Sequence, residues 1–266
     1  MAKPVAKVTP SSQSLLSEPA LYLMPFLAQR MSICEALFVQ QVHYWGRKSC
    51  IRDAEGDRIV CYTYEHWQKQ FPFLSTRWLK EIVRKLESDH WIVVDRKPSY
   101  NTYKIDPKYS KDPEYASLFN GKLLLGGDDL IKIFATLAVK HGLLEAAILQ
   151  TVHGRTYKNP SWWVKKTVGE WHDDLLPFAG VRTIERAFGH LETLDALVVE
   201  KATNKGRNSK RLRVNYQGLA NSLAIEIEKG PPELPVLPAN PSLGDASTSP
   251  PPANIAPSPA TASPLV

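Results

Sequence analysis

Apolar residues recur in this chain with two different periods, and the switch between them predicts its elements. Phe38, Val42 and Trp45 stand at i, i+4 and i+7 behind Ser32 and Glu35, a capping-box pair, so a helix over Cys34–Trp45 with one buried stripe is expected. Ile59–Tyr62 is short, β-branched and aromatic and reads as a strand, after which Thr63 caps a short helix, YEHWQKQF. Beyond the turn residues FPFLS, Ser75 caps a helix whose Leu79, Ile82, Val83 and Leu86 make one apolar face. Its other face carries Arg77, Lys80, Glu81, Arg84 and Lys85. The runs Trp91–Val94 and Thr102–Ile105 read as two strands of a hairpin joined by DRKPSYN.

The same plan returns farther along. FPFLSTRWLKEIVRKLESDHWIVVDRK (71–97) aligns without gaps to LPFAGVRTIERAFGHLETLDALVVEKA (176–202), matching Phe73 with Phe178, Arg77 with Arg182, Leu86 with Leu191 and Glu87 with Glu192. Upstream, EALFVQQVH (35–43) aligns to EAAILQTVH (145–153), so Glu35, Gln40 and His43 recur as Glu145, Gln150 and His153. In the second copy Thr167 and Glu170 form a capping box, Ile184, Ala187, Phe188 and Leu191 make the apolar face, and Leu197–Glu200 pairs with Arg211–Val214 across the loop KATNKGRNSK. A short helix, a tight turn, a second helix and a hairpin make a winged helix-turn-helix, in which the second helix can enter the major groove of DNA. The expected fold is therefore α+β and mainly helical, with tandem winged helix-turn-helix domains at 15–108 and 122–228 joined by a linker at 109–121. Residues 1–14 are polar and patternless and are expected to be disordered. So is the proline-rich tail 229–266: 11 of the 21 prolines fall from Gly230 onward.

Charge sharpens this picture. The formal net charge is +6, and residues 230–266 hold two acids, Glu233 and Asp245, with no Lys or Arg, so residues 1–229 carry +8. A basic folded part favours a polyanionic partner, here double-stranded DNA. The candidate contacts on the second helices are Thr76, Arg77, Lys80 and Arg84 in the first copy and Arg182, Thr183 and Arg186 in the second. The candidate wing contacts are Arg96, Lys97 and Lys104, with Tyr100 and Asn101 at the tip, and Lys201, Lys205, Arg207, Lys210, Arg211 and Arg213 in the second hairpin. A solvated basic face is the alternative reading of each.

Other chemistries find little footing. No phosphate-loop, dinucleotide, zinc-protease or nucleophile-elbow motif occurs, and the nearest acid cluster, Asp173–Asp174, stands in a basic helix-turn-helix without others and reads as surface charge, so no enzyme activity and no cofactor are expected. Three cysteines, Cys34, Cys50 and Cys61, without a paired spacing predict reduced thiols and no metal. The repeated His43 and His153 and the repeated Trp67 and Trp171 are expected to serve packing, whereas one of Trp162 and Trp163 should face outward and meet a partner. No apolar run is long enough for a membrane span and none resembles a signal peptide, so a cytoplasmic location is expected.

The segments LLSEPALYLMPFLAQRMSICEALFVQQVHYWGRKS and YTYEHWQKQFPFLSTRWLKEIVRKLE, with the later YNTYKID, resemble the N-terminal winged-helix domain of phage and mobile-element replication proteins of the replisome-organiser or DnaD-associated type. The resemblance covers the first copy, about 90 residues. It implies binding at a replication initiation site with Thr76, Arg77, Lys80 and Arg84 on the reading helix. The function expected is a double winged-helix replication initiator or organiser of a phage, plasmid or other mobile element, a monomer or dimer that recruits replication proteins through its tail. A transcriptional or partition regulator and a phage-encoded adaptor for a host protein are the alternatives.

Overall fold

Helix α2 (Ile33–Lys48) sits at the centre of the first half because nine consecutive residues, Glu35–His43, are buried on it. In the computed structural model, which describes residues 6–10, 12–111, 130–157, 163–204 and 207–227, its N-terminus carries the expected capping box, Ser32 with Glu35. Strand β1 (Ala20–Leu23) and helix α1 (Pro25–Arg30) precede it. Then come β2 (Val60–Tyr62), α3 (Tyr64–Gln70), α4 (Thr76–Ser88), β3 (Ile92–Arg96), β4 (Asn101–Ile105) and α5 (Pro107–Lys111). Strands β2, β4 and β3 form one antiparallel sheet in that order, with Val60 and Val94 both opposite Tyr103. Phe38, Trp67 and Tyr103, none of them exposed, pack where helix and sheet meet, the Phe38 and Trp67 rings 4.7 Å apart.

The second half runs β5 (Ile131–Phe134), α6 (Ala135–His141), α7 (Leu143–Thr156), β6 (Val164–Lys166), α8 (Val168–Asp174), α9 (Val181–Thr193), β7 (Leu197–Asn204), β8 (Arg207–Val214) and α10 (Tyr216–Leu223). Its sheet has the order β6-β8-β7, with Val164 and Val199 both opposite Leu212. Helix α7 is the buried central helix here, and Trp171 packs against Phe188 at 5.6 Å. The fold is thus α+β, ten helices and small antiparallel sheets among the described residues. Helix α10 lies so close to the turn after α9 that a Cβ on Gly218 would stand 1.9 Å from the Asp195 carbonyl oxygen, which requires glycine there. No described helix is long and apolar enough to cross a membrane.

Two features depart from the sequence expectation. Strands β1 and β5, one from each half, pair antiparallel from Ala20 opposite Phe134 to Leu23 opposite Ile131. Neither four-residue run is long enough to announce itself by alternation, and the pairing joins segments far apart in the chain. The N-terminal residues, expected to be disordered, are placed in residues 6–10 and 12–14 by polar contacts with the second half. Val8 is fully buried, and its N–H donates to the Glu226 carbonyl at 2.9 Å. The Leu15 N–H donates to Gln150 Oε1 at 2.9 Å, while Gln150 Nε2 donates to the Gln13 carbonyl at 3.0 Å. The remaining residues of 1–14, most of the expected linker and the proline-rich tail lie outside the described residues.

His153, with no exposure, fixes the same arm. Its Nε2 lies 2.6 Å from the Ser12 carbonyl, which can only accept, so Nε2 carries the proton and Nδ1 accepts from the Tyr216 hydroxyl at 3.1 Å. Burial depresses the pKa of His153 to about 4, and burial together with Arg47 does the same to His43. An unfolded chain takes up these two protons near pH 6.5 and the folded chain does not, so stability is complete above that pH and falls as pH drops toward 4. The loss should reach about 3 kcal/mol per histidine. Denaturant titrations at descending pH should show it and show about half of it in His153→Asn; a flat profile would contradict two buried neutral imidazoles.

Candidate nucleic-acid interface

The same local chemistry sets helix pairs α3/α4 and α8/α9. Helix α3 ends where the Phe71 N–H reaches the Trp67 carbonyl, and the Leu74 N–H then closes on the Phe71 carbonyl at 2.9 Å. In the second half the Leu176 N–H reaches the Trp171 carbonyl and the Ala179 N–H closes on Leu176 at 2.9 Å. Phe71, Leu74, Leu176 and Ala179 are buried, so apolar contact holds both turns. Ser75 caps α4 by accepting from the Trp78 N–H at 3.2 Å, whereas Gly180 gives α9 no side-chain cap. Each second helix is also tied to its central helix. Lys85 Nζ meets the buried Glu35 carboxylate at 2.8 Å, and His190 Nδ1 meets Glu145 at 3.3 Å.

With the apolar faces committed to the core, the predicted basic residues are left outward. On α4, a surface depression is lined by Thr76, Arg77, Lys80, Glu81 and Arg84. Thr76 is half-buried and its hydroxyl donates to Gln68 Oε1 at 2.8 Å, which ties α4 to α3 and occupies its proton. The Arg77 side chain is 90% exposed and pairs with Glu81 one turn on, at 3.2 Å. Such an exposed pair is weak and gives way readily to a better acceptor. Lys80 stands 5.6 Å from the Tyr64 ring, and Arg84 is exposed with no ion pair among the described residues. On α9, Arg182, Thr183 and Arg186 are all exposed, and neither arginine has an ion pair among the described residues.

The hairpins differ from one another in a way their sequences conceal. In the first, Arg96 binds Glu87 through both carboxylate oxygens, one contact at 2.9 Å, and Lys97 meets Asp95 at 2.7 Å. Lys104 is only 16% exposed and is enclosed by Asp53, Glu55 and Asp57, with the Asp57 contact at 3.0 Å. Burial works against its charge, but hydrogen bonds to Asp53 and Asp57 outweigh burial and hold its pKa above the ordinary lysine value. Tyr100 is exposed, and Asn101 donates to the Tyr103 hydroxyl at 3.0 Å. The first hairpin's cations are therefore neutralised within the fold.

In the second hairpin Lys201 is exposed with no ion pair among the described residues. Lys210 lies 5.6 Å from the Phe188 ring. Arg211 and Arg213 sit 4.7 and 4.9 Å from the Trp163 ring, and among the described residues Arg211 makes a long 3.7 Å pair with Glu200. Stacking on a ring leaves a guanidinium its charge, which an ion pair would cancel. Lys205 and Trp162 lie outside the described residues, as does the Arg207 side chain.

One exposed residue in this region escaped the sequence reading. Trp78 is 59% exposed on α4, beside Arg77. Its signal was available, because it falls off the stripe of Leu79, Ile82, Val83 and Leu86, and a tryptophan off the buried face of a helix is itself informative. Among the described residues no group of His, Cys, Asp and Glu side chains could hold a metal ion. In comparisons with known proteins, no family model matches the chain and no curated protein matches it significantly.

Lys104→Met should lower stability by about 1–2 kcal/mol, because it leaves Asp53 and Asp57 facing each other without their shared cation. The same change should leave DNA affinity at the wild-type value, since the ammonium is enclosed. Denaturant titration and a binding isotherm read the two effects separately, and weakened binding in a fully folded variant would contradict the enclosure.

Proposed function

We propose that this protein binds double-stranded DNA through two winged helix-turn-helix units, products of a tandem duplication, and serves as a replication initiator or organiser of a phage, plasmid or other mobile element. The observation that carries the reading is that helices α4 and α9, each following a tight buried turn and preceding an antiparallel hairpin, keep their basic faces exposed. A helix so mounted projects its first turns into the major groove, where arginine pairs with guanine and lysine with phosphate. Arg77 and Arg182 occupy matching positions on the two helices, so a single chain would read two half-sites without dimerising. The replication role is supported by the resemblance carried by VQQVHYW and WQKQFPF, and the tail is the part assigned to recruiting replication proteins.

Exposed Trp78 favours one competing reading, in which α4 anchors a host protein and DNA binding is lost. Selection from a random duplex library separates the two. Enrichment of a two-part motif supports the DNA reader and allows the motif to be sought at an origin, whereas no enrichment supports the adaptor. Replacing Arg77 and Arg182 together with Ala should erase preference for the selected motif by about 1–3 kcal/mol per base contact while retaining general DNA affinity. Competition between selected and scrambled duplexes measures this, and an unchanged preference would move the reading surface elsewhere.

A further inference from the structure

Three lysines stand side by side across the second sheet. Lys210 on β8 is directly opposite Lys201 on β7 and directly opposite Lys166 on β6. Like charges in cross-strand register are destabilising. Asp174 neutralises Lys166, but no carboxylate answers Lys210 or Lys201 among the described residues. The matching row of the first sheet, counted from the buried Tyr103 and Leu212 rows, is Tyr62, Asn101 and Arg96. It holds one cation, which Glu87 clasps. The strands of the second hairpin are also eight residues long against five, which extends it about 10 Å farther.

We infer that the two units divide the work on DNA: the second hairpin, through Lys201 and Lys210, supplies the salt-sensitive grip on backbone phosphates, and the first hairpin supplies none. The inference rests on the DNA-binding reading above and assigns its phosphate contacts. A sheet that places two unanswered ammonium groups opposite one another is destabilised until an anion lies across them, and successive phosphates of a duplex provide that anion. The Lys210 ammonium points over Phe188 of α9, so the row lies on the sheet face that also carries the second reading helix. In the first hairpin Arg96 and Lys97 each sit against a carboxylate, Glu87 and Asp95, so a phosphate approaching them meets no net positive charge.

The test is the salt dependence of affinity of the full chain for a mixed-sequence duplex, compared among wild type, Lys201→Ala with Lys210→Ala, and Arg96→Ala with Lys97→Ala. Each phosphate contact contributes about 0.9 to the slope of log affinity against log salt. The second-hairpin variant should lose about 2 from that slope and the first-hairpin variant nothing. The thermal midpoint of the second-hairpin variant should stay level or rise, because a like-charge pair is removed. Equal slope losses in both variants, or a loss confined to the first hairpin, would overturn the division of labour while leaving DNA binding intact. A fall in thermal midpoint would make the lysines structural and overturn it too. Wild type with no salt-dependent duplex binding would remove the DNA reading itself.

Discussion

Helices α2 and α7 are buried on nearly every side, and the rest of the described fold follows from that constraint. A helix with a single apolar stripe can leave its polar residues to water, but these two carry Glu35, Gln40, His43, Gln150 and His153 into the interior. Buried polar groups need partners, and the partners are the segments that surround each helix. Gln40 accepts from the Met24 N–H at 2.8 Å and so fixes the chain between β1 and α1, while Gln150 and His153 bind the N-terminal arm. Glu35 and Glu145 reach outward to Lys85 and His190 and set the helices that present the basic faces. Helices α4 and α9 are thus held by the polar residues of the core as well as by its apolar ones.

That arrangement explains how two units of similar local structure can serve unequal ends. In each, the apolar face of the second helix is spent on the core and the basic face is exposed. The hairpins diverge beyond the buried Tyr103 and Leu212 rows, where the register places Asn101 and Arg96 in the first and Lys210 and Lys201 in the second. In the first half the divergence took the form of acids, Glu87, Asp95 and the loop bearing Asp53 and Asp57, that cancel the cations of the hairpin. In the second half it took the form of rings, Trp163 and Phe188, which support cations without cancelling them. Charge at the surface is consequently concentrated where α9 and the second hairpin meet, and the proposed phosphate grip follows from that concentration.

Much of the local structure was legible in the residues. The capping boxes Ser32/Glu35 and Thr167/Glu170, the stripe of Leu79, Ile82, Val83 and Leu86, and the buried Trp67 and Trp171 stand where periodicity and capping chemistry put them. Strands β7 and β8 each run four residues beyond the expected limits, since their polar outer ends carry no apolar alternation. The N-terminal arm was illegible because its order depends on Gln150 and His153, more than a hundred residues away.

The candidate site divides along the same line. Sequence alone determined which side chains are cationic and which face of each helix they occupy, because charge is a property of the residue and helical phase is set by neighbours three and four positions away. Only the tertiary structure decided which of those cations stay available, because neutralisation is set by what the fold brings within a few ångströms. Lys104 and Lys210 lie in comparable hairpin strands, yet one is closed off by acids 47 and 51 residues away and the other faces a second lysine.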